Sequence, residues 1–385
     1  MIYLDNNAST PVDPEVSDAM FSCLKRDFGN PSSSHMLGRR AKEVLETSRR
    51  HISDLLECSQ KEIFFTSGGT ESNNLALLGT GMLYQTGHII TSAIEHPSVF
   101  STIKHLESRG FEVSYINSDS TGVVNLEELS NAVRRDTILI SIMHSNNETG
   151  VIQPIEDIAT LAKRHGIPFH VDAAQSIGKS HFTLKNSPID MLTLVPHKFY
   201  GPKGVGALYI RSGRTISPLL FGAGHEMGLR PGTENIPGIA GFAKACQITM
   251  RDLKLRISHT LYLRETLFEK LRYGIPDVSL NGHKTKRLPN TLNVCIPGIS
   301  SDELINKIAD QVAISSGSAC HSGRQIPSRV LKSMGLSDLE ALSSIRVSVG
   351  KDNTEDEILK AAEIILKAVH DLRKDIPLKS LECTM

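Results

Sequence analysis

The chain has 385 residues, 39% of them hydrophobic and 22% charged, and its 42 acidic residues balance 42 basic ones. That length exceeds what one hydrophobic core usually fills, so two domains are expected. The zero net charge leaves no electrostatic footprint for nucleic acid or an anionic membrane, and neither is expected as a partner.

The chain opens on "MIYLDNNAST", which lacks the basic and apolar segments of a secretory signal, and no later apolar run is long enough to span a bilayer. "EIFFT" (62–66) reads as a strand and "ESNNLALLGTGML" (71–83) as the helix after it. The strand "HIITSA", the helix "VFSTIKHLESRG" and the strand "EVSYI" follow. "NLEELSNAVRR" then precedes "TILISIMH", and "IEDIATLAKRHG" precedes "PFHVDAA". This alternation predicts an α/β fold with a mostly parallel sheet between helices, and ligands in such sheets bind beyond the carboxyl ends of the strands. "MLTLV" (191–195) and the apolar run after "YGPKG" read as further strands. From about residue 251 the texture changes. A long helical stretch leads into "RLPNTLNVCI", the helix "SDELINKIAD", the strands "VAIS" and "SIRVSVG", and a last helix opened by the capping box Thr354 and Glu357. A large domain over 16–250 is expected, with 1–15 and 251–385 forming a smaller α+β domain.

Several stretches carry candidate chemistry. In "FFTSGGTESNN" a strand runs through Ser67, Gly68, Gly69 and Thr70 into a helix, whose free N–H groups suit a phosphate; a plain strand-to-helix turn is the alternative. It is neither a Walker loop nor GxGxxG. In "FHVDAAQS", Asp172 ends an apolar strand and Gln175 follows; taken alone, Asp172 reads as a helix N-cap. In "MLTLVPHKFYGPKG", Lys198 stands just past a buried strand, where desolvation can turn an ammonium into a nucleophilic amine. Most lysines are surface residues, but the flanking His197 and glycine-rich turn set this one apart. Phosphate cradle, strand-end carboxylate and strand-end lysine are together the parts that pyridoxal 5'-phosphate (PLP) requires. The six cysteines Cys23, Cys58, Cys246, Cys295, Cys320 and Cys383 form no CxxC pair, so free thiols in a cytoplasmic protein are expected and a metal site is not. Cys320 lies in "SSGSACHSGRQIPSRVL", a polar segment with little means of rigid packing, where a thiol is exposed and able to react.

These stretches, with "YLDNNASTPV", "ITSAIEHPSV", "SIMHSNNETGVIQPI", "LRPGTENI" and "SSIRVSVG", resemble over nearly the whole chain the group I cysteine desulfurases of the class V aminotransferase family, enzymes of PLP fold type I. The resemblance implies removal of sulfur from L-cysteine, giving L-alanine and a persulfide on Cys320 for a sulfur-acceptor protein. It makes Lys198 the residue that carries the cofactor aldehyde and Asp172 the partner of the ring nitrogen. Gln175 and Asn147 become hydrogen-bond donors to the ring hydroxyl and substrate region, and His96 the imidazole on the ring face. Gly69, Thr70 and His197 match phosphate contacts, and Thr233 matches one donated across a homodimer interface. Arg346 matches the group that grips the substrate carboxylate, with Asn30 near the substrate. A mobile loop over about 315–328 is implied for Cys320.

The chain departs from this pattern in two places. Val195 and Pro196 stand where the family carries a hydroxyl and a small residue before the lysine, so one phosphate hydrogen bond is expected to be missing. His321 follows Cys320 where many members have Ser or Thr, and Cys-His-Ser is common in the related selenocysteine lyases. A selenocysteine lyase, or a non-catalytic scaffold or sulfur-relay subunit, are the alternative readings.

Overall fold

The computed structural model describes residues 1–316, 319–321 and 324–374, with backbone only for 319–321, 324 and 325. Positions 317, 318, 322 and 323 of the expected Cys320 loop, the side chain of Cys320, and the tail 375–385 with Cys383 therefore lie outside the described residues.

The expected sheet is present with seven strands, in the order Ile63–Thr66, Gly206–Ile210, Met191–Leu194, Phe169–Asp172, Thr137–Ser141, His88–Ser92, Glu112–Ile116. Gly206–Ile210 runs antiparallel to both its neighbours, and the remaining pairs are parallel. "TILIS", "HIITS" and "MLTL" are buried at every position, as strands covered on both faces must be. The helices Gly69–Gly81, Pro97–Ser108 and Ile155–His165 provide that cover. Because most of the strands point the same way, the segments after Thr66, Ser92, Ser141, Asp172 and Leu194 all emerge at one edge.

The helix expected from about 251 begins earlier and runs unbroken over Ile236–Gly274, 39 residues and about 58 Å at 1.5 Å per residue. Asn235 caps it through Gly238 N at 3.2 Å, and Pro237 sits in its first turn, where a missing N–H costs nothing. Its first half buries Ile236, Ile239, Phe242 and Cys246 in the core under the large sheet. Its second half buries Leu263, Leu267 and Leu271 in another core, with Leu292, Val294, Ile345 and Val347. The 250/251 boundary thus falls inside a helix shared by both cores.

The second core lies on an antiparallel sheet ordered Ser315–Ser316, Ser344–Ser348, Thr291–Cys295, Ser279–Leu280. The start of the chain packs here: Ile2–Tyr3 pairs in parallel with Val312–Ala313, and Ile2 and Leu4 enter this core. The last helix, Glu355–Lys374, opens on the expected capping box, with Glu357 N donating to Thr354 Oγ1 at 3.2 Å and Thr354 N to Glu357 Oε2 at 3.1 Å. Two helices not anticipated from the sequence, Pro14–Arg26 and Met36–Leu56, pack on the long helix.

The Cys320 segment also differs from an irregular loop. Ala319–His321 pairs antiparallel with Arg324–Ile326, and Cys320 stands opposite Gln325. Among the described residues this hairpin is joined to no other strand, and an isolated two-stranded ribbon is only marginally stable by itself.

Candidate active site

A cavity of about 300 Å³ opens at the carboxyl edge of the large sheet. Gly69, Thr70, His96, Asn147, Asp172, Gln175, His197, Lys198 and Arg346 line it, so most of the residues singled out from the sequence converge on one space. A larger groove of about 930 Å³ near Lys42, Arg49 and Glu226 contains none of them.

Lys198 ends a single 3-10 turn, Pro196–Lys198, that follows the strand Met191–Leu194 directly. Its Nζ donates to the carbonyls of Asn7 at 2.7 Å and Ala8 at 2.8 Å. Burial, and then the nearby Arg346 cation, lowers its pKa to about 8 against pulls the other way from Asp172 and Asp5. An amine with that basicity is a nucleophile near neutral pH.

Asp172 is buried at its strand end, and both its oxygens are satisfied: Oδ1 accepts from Ala174 N at 2.9 Å and Oδ2 from Asn73 Nδ2 at 2.8 Å. Asn73 comes from the helix Gly69–Gly81 and also donates to Ser98 Oγ at 2.8 Å, so one amide ties three segments of the cavity wall together. That helix starts at Gly68 with no side-chain cap. Its first N–H groups are available to an anion, and the space where a side chain on Gly68 would stand is empty to 4 Å. A Cβ placed on Gly69 would come 3.1 Å from Val195 Cγ1, so residue 195 presents a methyl group where a hydroxyl could have faced the anion.

His96 caps the helix Pro97–Ser108. Its Nδ1 lies 3.1 Å from Ser98 N and 2.8 Å from Ser98 Oγ, which leaves Nε2 toward the cavity side of the ring. The enclosing walls lower its basicity, with Lys198 and Arg329 adding to the effect and Asp172 opposing it. His197 is lowered further, to about 4, by burial and by Lys198 beside it. Beneath His96 the Glu95 carboxyl is fully buried and pushed up to about 8, chiefly by burial, and its Oε1 accepts from Ser92 Oγ at 2.5 Å.

The antiparallel strand Ser344–Ser348 delivers Arg346. Nη2 donates to Asp5 Oδ1 at 2.6 Å and Ser315 Oγ at 2.9 Å, and Nη1 to the Asn147 carbonyl at 3.2 Å. Among the described residues Nε is buried and has no partner, so the guanidinium is not fully satisfied by the protein groups described.

Some residues stand apart. Asn30 is exposed, with its Oδ1 accepting from Ser32 N at 2.9 Å, and it does not line the cavity. Thr233 is also exposed and does not line the cavity. Asn7, Asp5, Asn73 and Lys179 are contributors that sequence reasoning did not single out. Asn7 and Asp5 had a usable signal, since both lie in "YLDNNASTPV"; nothing local shows that this segment crosses to the cavity. Among the described residues no group of three or more His, Cys, Asp or Glu could hold a metal, and no helix is long and apolar enough to cross a membrane.

An uncapped helix start, a satisfied carboxylate and a basicity-lowered amine form a donor set that fits PLP. The aminotransferase class-V family model matches residues 2–360, and the chain belongs to that family. Its curated relatives include the cysteine desulfurase IscS of Methanosarcina thermophila, 44% identical over 99% of this chain and 95% of the relative. A cysteine desulfurase of Nostoc sp. is 42% identical over 99% of this chain and 96% of its own length. Among solved structures, a NifS-like protein superposes with a TM-score of 0.91 at 39% identity, covering 96% of this chain and all of that one. A structure described as SspA in complex with cysteine has a TM-score of 0.81 at 38% identity, covering 92% of this chain and all of that one.

Proposed function

We propose that the chain is a PLP-dependent cysteine desulfurase that takes sulfur from L-cysteine, releases L-alanine and holds the sulfur as a persulfide on Cys320 for an acceptor protein. The observation that carries this reading is the Lys198 amine, lowered to about 8 and facing a cavity that also holds Asp172 and an uncapped helix start. Full-length relatives named cysteine desulfurases support it.

Lys198 would hold the cofactor, Asp172 would face its ring nitrogen, and Gly69, Thr70 and His197 would hold its phosphate. Asn147 and Gln175 would face its hydroxyl and the substrate. When bound, PLP supplies an aldehyde for the substrate amine and a ring that takes up electron density from the α-carbon. Arg346 orients the L-cysteine carboxylate through a planar fork, which a lysine could not reproduce. Lys198 or His96 then moves the proton at that carbon. The Cys320 thiolate attacks the substrate sulfur: a sulfur–sulfur bond forms, the carbon–sulfur bond breaks, and the electron pair stays with the carbon fragment. That fragment takes up a proton and leaves as L-alanine. For this, the hairpin carrying Cys320 must approach the cavity and retreat to deliver sulfur.

We assign the cofactor to the domain over 16–250 and the Cys320 segment to the domain formed by 1–15 and 251–385. A homodimer is inferred from Thr233, which stands outside its own cavity on a segment with exposed Leu220, Phe221 and Met227, apolar residues of the kind subunit interfaces cover. Cytoplasmic action is supported by the free thiols of Cys23, Cys58, Cys246 and Cys295.

Incubating the purified protein with PLP and L-cysteine should yield alanine and reductant-releasable sulfide in equal amounts. Full sulfide release by Cys320→Ala would overturn the persulfide assignment. Faster turnover of L-selenocysteine than of L-cysteine would favour the lyase reading, and a preparation that PLP cannot turn yellow would favour the non-catalytic one.

A further inference from the structure

Behind the cavity wall a second lysine is buried. Lys179 lies four residues after Gln175, and its Nζ donates to Gln175 Oε1 at 2.7 Å and to Asn7 Oδ1 at 2.9 Å. Gln175 Nε2 donates to the Asn7 carbonyl oxygen at 2.9 Å, the same oxygen that accepts from Lys198 Nζ at 2.7 Å. Lys179, Gln175 and Asn7 thus close a ring of hydrogen bonds, and Lys198 hangs from one of its acceptors. The Asn7 side chain is further held by Asn290 Nδ2, which donates to its Oδ1 at 3.1 Å, and by Thr291 Oγ1, which accepts from its Nδ2 at 2.9 Å.

The ring has a directional consequence. A glutamine amide is nearly symmetric in shape, and only its partners decide which end is oxygen. Lys179 can donate but cannot accept while protonated, and even as a neutral amine its two N–H groups match its two acceptors. It therefore draws the Gln175 oxygen inward and leaves the N–H end on the cavity side. Burial, with Lys198 and Arg346 nearby, pushes the Lys179 pKa well down. A neutral amine keeps both bonds without leaving an uncompensated charge beside Lys198.

We propose that Lys179 is a positioning residue of this site: it sets the Gln175 amide with its N–H toward the cavity and steadies the Asn7 carbonyl under the Lys198 amine. Lys179 itself touches neither substrate nor cofactor in this role. The inference rests on the reading of the cavity as a PLP site. It adds that the donor facing the cofactor hydroxyl is fixed from behind by a second lysine.

The test is a pH titration of the visible absorption of the PLP-loaded protein. Replacing Lys179 by Met keeps the length and removes the donors, so the Gln175 amide loses the partner of its oxygen and is held only by the Asn7 carbonyl. The apparent pKa of the bound chromophore should rise by about one unit, tenfold in proton affinity. Gln175→Leu should shift it in the same direction, and the double variant should shift it no further than Gln175→Leu alone. An unshifted pKa in Lys179→Met, or shifts that add in the double variant, would overturn the proposal. Should Lys179→Met not fold, Lys179→Gln, which retains N–H donors on a shorter chain, should show a partial shift, and none would count against the role. A second readout needs no bound cofactor: reductive methylation of Lys198 in the cofactor-free chain, followed by mass spectrometry, should be several-fold faster in Lys179→Met, and an unchanged rate argues against the role. A wild-type protein that gains no colour with PLP refutes the site reading itself, and the methylation rate then still reads whether Lys179 holds Asn7 beneath Lys198.

Discussion

Arg346 reaches the cavity wall already paired with Asp5, its Nη2 standing 2.6 Å from the carboxylate Oδ1. Both side chains are largely buried, with 10% and 18% of their surfaces exposed, so little water screens the contact. A substrate carboxylate must therefore meet the guanidinium in the presence of a like charge. Replacing Asp5 by Asn keeps the shape and an acceptor oxygen while removing that charge. The KM for L-cysteine should fall several-fold with kcat nearly unchanged, as initial rates against L-cysteine concentration will show; a raised KM would mean that Asp5 serves mainly to orient Arg346. Arg346→Lys should raise KM tenfold or more, about 1.4 kcal/mol of lost binding.

Val195 places a methyl group next to the uncapped helix start at Gly69. A hydroxyl there would add one hydrogen bond to a charged group, worth about 1.5–3 kcal/mol. Val195→Ser should therefore tighten PLP binding at least tenfold, measured by fluorescence titration of the cofactor-free chain. Equal affinity in the two proteins would show that the residue does not face the phosphate.

The Lys198 amine titrates near pH 8, below its ordinary 10.5, because burial and Arg346 disfavour the ammonium. In the cofactor-free protein its labelling by an amine reagent should reach half its maximal rate near pH 8. The same shift has a sign for stability. Between pH 8 and 10.5 the unfolded chain holds a proton that the folded one has lost, so this group makes stability rise with pH across that window. Urea unfolding of wild type and Lys198→Met should show a difference that changes over this range and is flat above it.

Burial raises the thiol pKa of every cysteine whose side chain is described: Cys23 to about 11, Cys58 to about 12, and Cys246 and Cys295 in the same direction. None of these four should compete with Cys320 for a thiol reagent at pH 7. Peptide mapping after brief alkylation decides the matter, and prompt labelling of any of the four would contradict the burial argument.

Arg49 and Glu226 form a buried pair, with guanidinium nitrogens 2.8 Å from both carboxylate oxygens, and Glu226 Oε2 also accepts from Phe65 N at 2.8 Å. This pins the segment leading to Thr233 against an edge strand of the large sheet. Arg49→Met leaves the carboxylate buried and unpaired, and about 3–5 kcal/mol of stability should be lost. Chemical denaturation measures the loss; a change below about 1 kcal/mol would mean that water reaches Glu226.

The strands "TILIS", "HIITS" and "MLTL", the chemistry-bearing turns after them and the last helix's capping box could all be read from the chain, because local pattern and backbone preference act over a few residues. Lys198, Asp172 and Gly69 were legible for the same reason: each sits where a strand ends, and strand ends in a parallel sheet gather at one edge. Tertiary structure alone decided the rest. The long helix starts at Ile236 because its first half is buried in the large core, so the two cores share an element that composition divides at 251. Asn7 lies 191 residues from the lysine it holds, and Lys179 faces inward only because Asn7 and Gln175 meet it there. Asp5 meets Arg346 because the first strand pairs with Val312–Ala313 and brings the start of the chain beside Ser348. Contacts between residues so distant in sequence depend on packing of the whole chain, and no short window of residues encodes them.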